Sequence, residues 1–89
     1  SDNSPPKIYF IGKKIFQNQE ASCFKLYDEL LDIKNYRVKL NNSWQWAYFD
    51  AKNKNLLIPI NPKIKIFNFE IFAEDEALNN TTFRQLIEL

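Results

Sequence analysis

Few residues in this chain have side chains suited to catalysis. It has no histidine and a single cysteine, and many catalytic and metal-binding schemes use these two residue types. Cys23 has no histidine to activate it, and its position in an apolar pattern favours a buried thiol over a nucleophile. A structural zinc site needs several cysteine or histidine ligands, and phosphate-binding loops need several glycines where this chain has one.

Carboxylates are the remaining candidates for acid–base chemistry. Asp28 and Asp32 lie four residues apart, and Glu74, Asp75 and Glu76 follow one another. A carboxylate pair can transfer protons, but this spacing is also typical of a solvated helix face. The acidic run lacks the spacing and the glycine of a calcium loop. We therefore predict no catalytic residue, no metal site and no cofactor, and we expect that the chain is not an enzyme.

Aromatic residues form the clearest candidate for a binding site. Trp44, Trp46 and Tyr48 occupy alternate positions, so within one strand they would share a face. Exposed aromatic side chains on a sheet can stack on bases or anchor a protein partner. The alternative is that they cover the core, because large aromatic side chains are usually mostly buried.

Basic residues add a second candidate feature because they come in pairs. The pairs are Lys13/Lys14, Arg37/Lys39, Lys52/Lys54 and Lys63/Lys65. Three pairs have a spacing of two, so their members share one face of an extended segment, and aligned strands would build a stripe that contacts phosphates. The alternative is that these are the solvent-facing positions of half-buried strands. The net charge of +1 gives no general attraction to nucleic acid.

Two short segments resemble the aromatic motifs of the RNA-recognition motif family. Residues 8–12 (IYFIG) are similar to the first motif, and residues 45–50 (QWAYFD) are similar to the second. The resemblance implies that Tyr9, Trp46 and Tyr48 stack on bases. The basic residue and glycine that open the family's second motif are missing, and two prolines follow where the family has its second helix. We therefore do not assign the chain to this family.

One long helix is predicted to position part of this surface, over residues 18–33. Asn18 suits the N-cap, and Glu20 suits the first turn. The apolar positions recur at spacings of three and four, which is the period of a helix face. They are Cys23, Leu26, Tyr27, Leu30 and Leu31.

Short strands are predicted for most of the remaining chain. The candidate segments are residues 7–11, 36–40, 44–50, 56–60 and 63–72. Gly12 predicts either a tight turn followed by a returning strand or a kink in one longer strand. A β-bulge near residues 66–67 would restore the slipped alternation of the last strand. Thr82 and Gln85 have the capping-box spacing of a short C-terminal helix.

These elements predict an α+β fold, with the long amphipathic helix packed on a mostly antiparallel β-meander. Residues 1–6 are predicted to be a linker, and residues 7–89 a single domain. The chain begins without methionine and ends in an apolar segment, so we expect that it is excised from a larger protein. The predicted core consists of Leu26, Leu30, Val38, Leu40, Ile58, Ile66 and Phe69.

The predicted function is a non-catalytic protein-interaction module of a larger intracellular protein. It would dock a partner through an aromatic and charged sheet face or through a strand edge, such as residues 63–72. The alternative is a single-stranded nucleic-acid-binding module. The predicted partner-binding residues are Trp44, Trp46, Tyr48, Tyr9, Arg37, Lys39, Lys63 and Lys65. No apolar run approaches the ~20 residues that cross a bilayer, so no membrane partner is expected, and the oligomeric state is left open.

Overall fold

The protein is built from two antiparallel β-sheets. The computed structural model describes residues 4–89, and the first three residues of the predicted linker lie outside them. The strands are β1 Lys7–Phe16, β2 Gln19–Tyr27, β3 Ile33–Leu40, β4 Ser43–Gln45, β5 Tyr48–Asp50, β6 Asn55–Pro59, β7 Ile66–Asp75 and β8 Asn80–Glu88. Sheet A has the order β1-β2-β6-β5, and sheet B has the order β4-β3-β7-β8. The predicted antiparallel pairing is therefore confirmed.

The predicted α+β fold is wrong, because residues 4–89 contain no helix. The predicted long helix is β2 and the loop that follows it, and the predicted C-terminal helix is β8. Asn18 does not cap a helix. Gln17 and Asn18 have φ angles of 52° and 62°, and they form the two-residue turn between β1 and β2, where positive φ matches the twist of the hairpin.

The helix-like spacing has a physical origin in the burial of β2. Residues 21–24 are all buried, so both faces of this strand are covered. A strand covered on both faces loses its alternation of apolar and polar residues, and its apolar spacing no longer distinguishes strand from helix. In β8 the inward side chains include Phe83 and Ile87, whose separation of four residues fits both a strand face and a helix face.

The core lies between the two sheets. The rings of Phe24 in sheet A and Phe69 in sheet B meet edge to face, with their centroids 4.9 Å apart. Among the predicted core residues, Leu26, Val38, Ile58 and Phe69 are buried, and Leu40 packs at the margin of the core. The prediction is wrong for two others, since Leu30 is 73% exposed and Ile66 is 52% exposed.

Two further predictions about strands are resolved by the register. β1 is one continuous strand with a register shift between Phe10 and Gly12, so the kink is correct and the tight turn is not. The predicted bulge at residues 66–67 is absent, because β7 pairs with β8 without a register shift. β7 also lies between β3 and β8, so it is not the edge strand that self-association would need.

The predicted strand over residues 44–50 is divided between the two sheets. β4 pairs with β3 in sheet B, and β5 pairs with β6 in sheet A. The chain crosses at Trp46 and Ala47, where the side-chain alternation continues and Gln45 and Ala47 stay partly buried. Trp44 and Tyr48 therefore both face outward, but from opposite sheets.

Four consecutive hairpins alternate between the sheets along the chain. The β1–β2 and β5–β6 hairpins form sheet A, and the β3–β4 and β7–β8 hairpins form sheet B. Asn41 and Asn42, with φ angles of 51° and 68°, turn the β3–β4 hairpin. Pro6 is buried, and its carbonyl oxygen accepts a hydrogen bond from Thr81 Oγ1, which ties β8 to the start of β1.

Within residues 4–89 there is no helix with the length and apolarity that spanning a membrane requires.

Candidate functional site

The predicted partner-binding residues do not form one surface. On the outer face of sheet B lie Trp44, Arg37 and Lys39. On the outer face of sheet A lie Tyr9 and Tyr48, with Trp46 at the crossing beside them. The loop between β6 and β7 carries Lys63 and Lys65. Two separate candidate surfaces result, one on each sheet.

A row of four side chains crosses the whole outer face of sheet B. The register aligns Trp44, Lys39, Glu70 and Arg84 on β4, β3, β7 and β8. Lys39 Nζ lies 4.6 Å from the ring centroid of Trp44. Arg84 Nε donates a hydrogen bond of 2.9 Å to Glu70 Oε1. The row therefore alternates ring, cation, anion and cation across neighbouring strands.

A second cation lies on a ring in the adjacent row. The guanidinium carbon of Arg37 lies 4.2 Å from the ring centroid of Phe72, and the two residues are direct cross-strand partners. The two arginines of the chain, Arg37 and Arg84, thus lie on this one face. Tryptophan and arginine dominate the residues that carry binding energy in protein interfaces.

The same face has an apolar end. Ile66 and Leu86 point outward from β7 and β8, since their neighbours Phe67 and Ile87 point into the core. Trp44 is 67% exposed at the β4 edge. We call this surface the sheet-B face. It consists of Arg37, Lys39, Trp44, Ile66, Glu70, Phe72, Arg84 and Leu86.

Three aromatic rings cluster on the outer face of sheet A. Phe16 stacks on Tyr48 with ring centroids 5.3 Å apart, and it stacks on Trp46 at 6.5 Å. Trp46 is 61% exposed and Tyr48 is 44% exposed. We call these three residues the ring cluster. Tyr9 does not join it, because Tyr9 lies at the other end of the face opposite Lys25.

Sequence reasoning missed Phe16, the central member of the ring cluster. Gly12, Lys14 and Phe16 alternate on the outward side of β1, as their pairing with Cys23, Ala21 and Gln19 shows. This alternation is visible in the sequence, but its meaning depends on reading β1 as one strand that continues past Gly12. A turn at Gly12 would have placed Phe16 in a different strand.

An open groove borders the ring cluster at one end of the sandwich. Its volume is about 610 Å³, and we call it the amide groove. It is lined by Ile15, Asn18, Gln19, Glu20, Gln45, Pro59, Ile60, Asn61 and Pro62. Gln19 is the strand partner of Phe16, and Gln45 directly precedes Trp46. The groove therefore borders the ring cluster at these two residues.

The thiol of Cys23 is buried beneath this face. Burial raises its pKa above the usual value for a thiol, and the positive charges of Lys14 and Lys25 offset only part of the increase. A raised pKa reduces the thiolate fraction, and the thiolate is the nucleophile. The structure thus supports a packing role for Cys23.

The carboxylates are arranged differently from their spacing in the sequence. Asp75 is fully buried at the end of β7, and its Oδ1 accepts hydrogen bonds from the backbone N–H groups of Ala77 and Asn79 at 2.9 and 3.0 Å. Burial alone raises the pKa of Asp75. The hydrogen bonds from Asp28, Asn79 and Ala77 together lower the pKa by more than burial raises it, so the pKa lies below its usual range. Asp75 therefore favours its charged form inside the fold.

Asp28 is the carboxyl group next to Asp75. Its Oδ1 accepts hydrogen bonds from the backbone N–H groups of Leu30 and Leu31, whereas its Oδ2 is buried without a donor. The pair joins the β2–β3 loop to the β7–β8 turn.

Among residues 4–89, no three potential metal ligands lie close enough together to hold an ion.

Comparisons of this chain with protein-family models, with curated proteins and with solved structures found no match.

Proposed function

We propose that this chain is a non-catalytic protein-interaction module and that it docks a protein partner through the sheet-B face. The observation that supports this most strongly is the row of Trp44, Lys39, Glu70 and Arg84 across four strands. Side chains held against one another before binding lose less conformational freedom when a partner arrives. The row thus offers an anchor of the kind that tight protein interfaces use.

The charges and the apolar end of this face indicate the kind of partner. Arg37, Lys39 and Arg84 outnumber Glu70 in the two central rows, whereas Glu74 and Glu88 point outward nearer the ends of the sheet. A partner with carboxylates at its centre would complement this excess of positive charge. Ile66 and Leu86 would then cover aliphatic side chains at one end of the same contact. The single unpaired Cys23 supports an intracellular setting for the module.

A protein partner fits this face better than nucleic acid. Lys39 and Arg37 lie over rings, and Arg84 is hydrogen-bonded to Glu70. Phosphate binding would have to compete with the Glu70 carboxylate for Arg84 in the middle of the surface. Burial of the exposed leucine and isoleucine against an apolar protein surface also stabilises a complex more than contact with a phosphate backbone does.

The test is affinity capture from the source cells with three forms of the domain, followed by binding measurements on the purified captured protein. Trp44→Ala removes the anchor, and Trp46→Ala is the matched control at the other side of the molecule. We expect Trp44→Ala to weaken binding at least about thirtyfold, as loss of a hot-spot residue does (~2 kcal/mol). Trp46→Ala should leave it unchanged.

Two results would contradict the proposal. One is a captured protein whose binding depends on Trp46 and not on Trp44. The other is capture of RNA or DNA whose binding falls steeply as salt is raised and is lost in Arg37→Ala, because this would assign the sheet-B face to phosphate contacts.

A further inference from the structure

We propose a second binding site, formed by the amide groove and the ring cluster, and we infer that it takes a neutral oligosaccharide. The site shares no residue with the sheet-B face, because it lies at one end of the sandwich and on the outer face of sheet A. The inference follows from three properties of the groove: its hydrogen-bonding groups, its rings and its charge.

The hydrogen-bonding groups of the groove are mainly carboxamides. Four of its nine lining residues are of this type: Asn18, Gln19, Gln45 and Asn61. A carboxamide presents an acceptor oxygen and two N–H donors side by side. A hydroxyl group also donates and accepts, so a ligand rich in hydroxyl groups can satisfy both parts of each amide.

Two of these amides are held in place by the backbone. Gln45 Nε2 donates a hydrogen bond of 3.0 Å to the carbonyl oxygen of Trp46. Asn61 Oδ1 accepts a hydrogen bond of 3.0 Å from the backbone N–H of Lys63. The contacts fix one end of each amide and leave Gln45 Oε1 and Asn61 Nδ2 for a ligand. A site whose polar groups are already oriented loses less entropy on binding.

The ring cluster supplies a flat apolar surface beside these amides. The plane of Phe16 lies 13° from that of Tyr48 and 26° from that of Trp46. Large exposed rings of this kind present apolar area with one polar handle. The C–H face of a pyranose ring is flat and apolar, while its hydroxyl groups project from the edge. A sugar stacked on Trp46 would thus direct its hydroxyl groups toward the neighbouring amides.

The charge inside the groove favours a neutral sugar over a nucleic acid. Glu20 is the charged residue of the lining, and Lys13 Nζ lies 3.5 Å from Glu20 Oε1. This ion pair is neutral, and the Glu20 carboxylate disfavours phosphate in the groove, while at the rim Lys65 Nζ donates a hydrogen bond of 3.3 Å to the carbonyl oxygen of Pro62. The volume of about 610 Å³ falls within the range of small-molecule sites. Neutral hydroxyl-rich chains therefore fit the size of the groove and the carboxylate in its lining.

The experiment uses tryptophan fluorescence of the Trp44→Phe variant, which leaves Trp46 as the single reporter. Neutral hexasaccharides of glucose, xylose and mannose are the probes, after a screen on an array of neutral glycans. We expect a saturable change with at least one of them, nearly unaffected by salt. Gln45→Ala and Asn61→Ala should each weaken binding roughly three- to tenfold, as loss of one hydrogen-bonding group does. Tyr9→Ala, at the far end of the face, is the matched control and should bind as before.

The inference is overturned if no neutral glycan binds on the array and none of the hexasaccharides changes the fluorescence. It is also overturned if single-stranded oligonucleotides give the saturable change and binding falls steeply with salt, because the site then reads bases. Neither result depends on the partner of the sheet-B face, so failure of one proposal leaves the other standing.

Discussion

The rings of Phe16 and Tyr48 stack 13° from parallel, although their strands are the two opposite edges of sheet A. Between these edges, β2 contributes Ala21 and Cys23 to this face, both small and buried, and β6 contributes Leu57, which pairs with Cys23 and with Tyr48. Both faces of β2 are therefore covered, which removes the alternation that would have marked it as a strand.

The ring contact predicts a link between Phe16 and the chemistry of Cys23. In Phe16→Ala, the thiol should lose part of its cover and react faster with a thiol reagent under native conditions. Stability should fall by about 1–3 kcal/mol, since Phe16 makes two ring contacts of ~0.5–1.5 kcal/mol each. Ile15→Ala, an exposed neighbour on the same strand, should change neither quantity much. Equal reactivity in the two variants would show that other side chains bury Cys23.

Leu26 and Leu30 distinguish the strand from a helix in solution. In a helix the two leucines share a face, whereas here Leu26 is fully buried and Leu30 is exposed in the loop after β2. Leu26→Ala should cost about 2–5 kcal/mol of unfolding free energy. Leu30→Ala should stay within about 0.5 kcal/mol of the parent. Urea unfolding of both variants measures the difference, and similar large losses would favour the helix.

Asp75 should make the protein sensitive to acid. Its pKa in the fold lies below its usual value, so its ionised form stabilises the fold at pH values above the unfolded pKa of about 3.9. This stabilisation is lost as the pH falls through the lower folded pKa. Unfolding in this range should therefore take up protons, and Asp75→Asn should reduce the uptake by as much as one proton per molecule.

The measurement is the urea midpoint as a function of pH for the parent and for Asp75→Asn. Glu88→Gln, an exposed carboxyl group on β8, controls for the removal of one charge. Asp75→Asn should also be less stable at neutral pH, because a carboxamide cannot accept all the hydrogen bonds that reach the Asp75 carboxylate. If the urea midpoint of Asp75→Asn falls at low pH as steeply as that of the parent, other carboxylates take up the protons.

Gly12 permits the register shift in β1. Its φ of 140° lies in a region that residues with a Cβ rarely adopt, yet an added Cβ would meet no atom within 4 Å. Gly12→Ala should therefore cost about 1–3 kcal/mol through backbone strain alone. Lys14→Ala on the same strand provides the comparison. A thermal shift in Gly12→Ala no larger than in Lys14→Ala would mean that β1 relaxes without the glycine.

The strands that the sequence predicts well are those with one covered face or a clear turn. Val38 alternates with charged residues in β3, and Asn41 and Asn42 mark the following turn. β6 is short and ends at Pro59. The sequence fails for β2, where the side chains of both faces are buried. The pattern of residues 44–50 could not show the crossing between sheets, because side chains alternate in the same way on both sides of it.

The candidate surfaces show a similar limit. Trp44, Arg37 and Lys39 are visible in the sequence as aromatic and basic residues at alternate positions. Their partners Glu70, Phe72 and Arg84 come from distant strands, and only the register places them there. The amide groove likewise gathers residues from β1, β2, β4, β6 and the loops next to them. A surface assembled by long-range pairing cannot be deduced from local periodicity.

The alternation of the four hairpins has a consequence for how this chain reaches its fold. Each half of the chain supplies one hairpin to each sheet, and strands of the two halves pair with each other at β2–β6 and β3–β7. Neither half contains a complete sheet or a closed core. Folding therefore requires contacts between residues far apart in the chain, and such contacts make folding slow. A chain cut at the crossing near residues 46–47 should yield two fragments that are unstructured alone and regain structure when mixed. Such fragment complementation would make this small domain a natural split reporter.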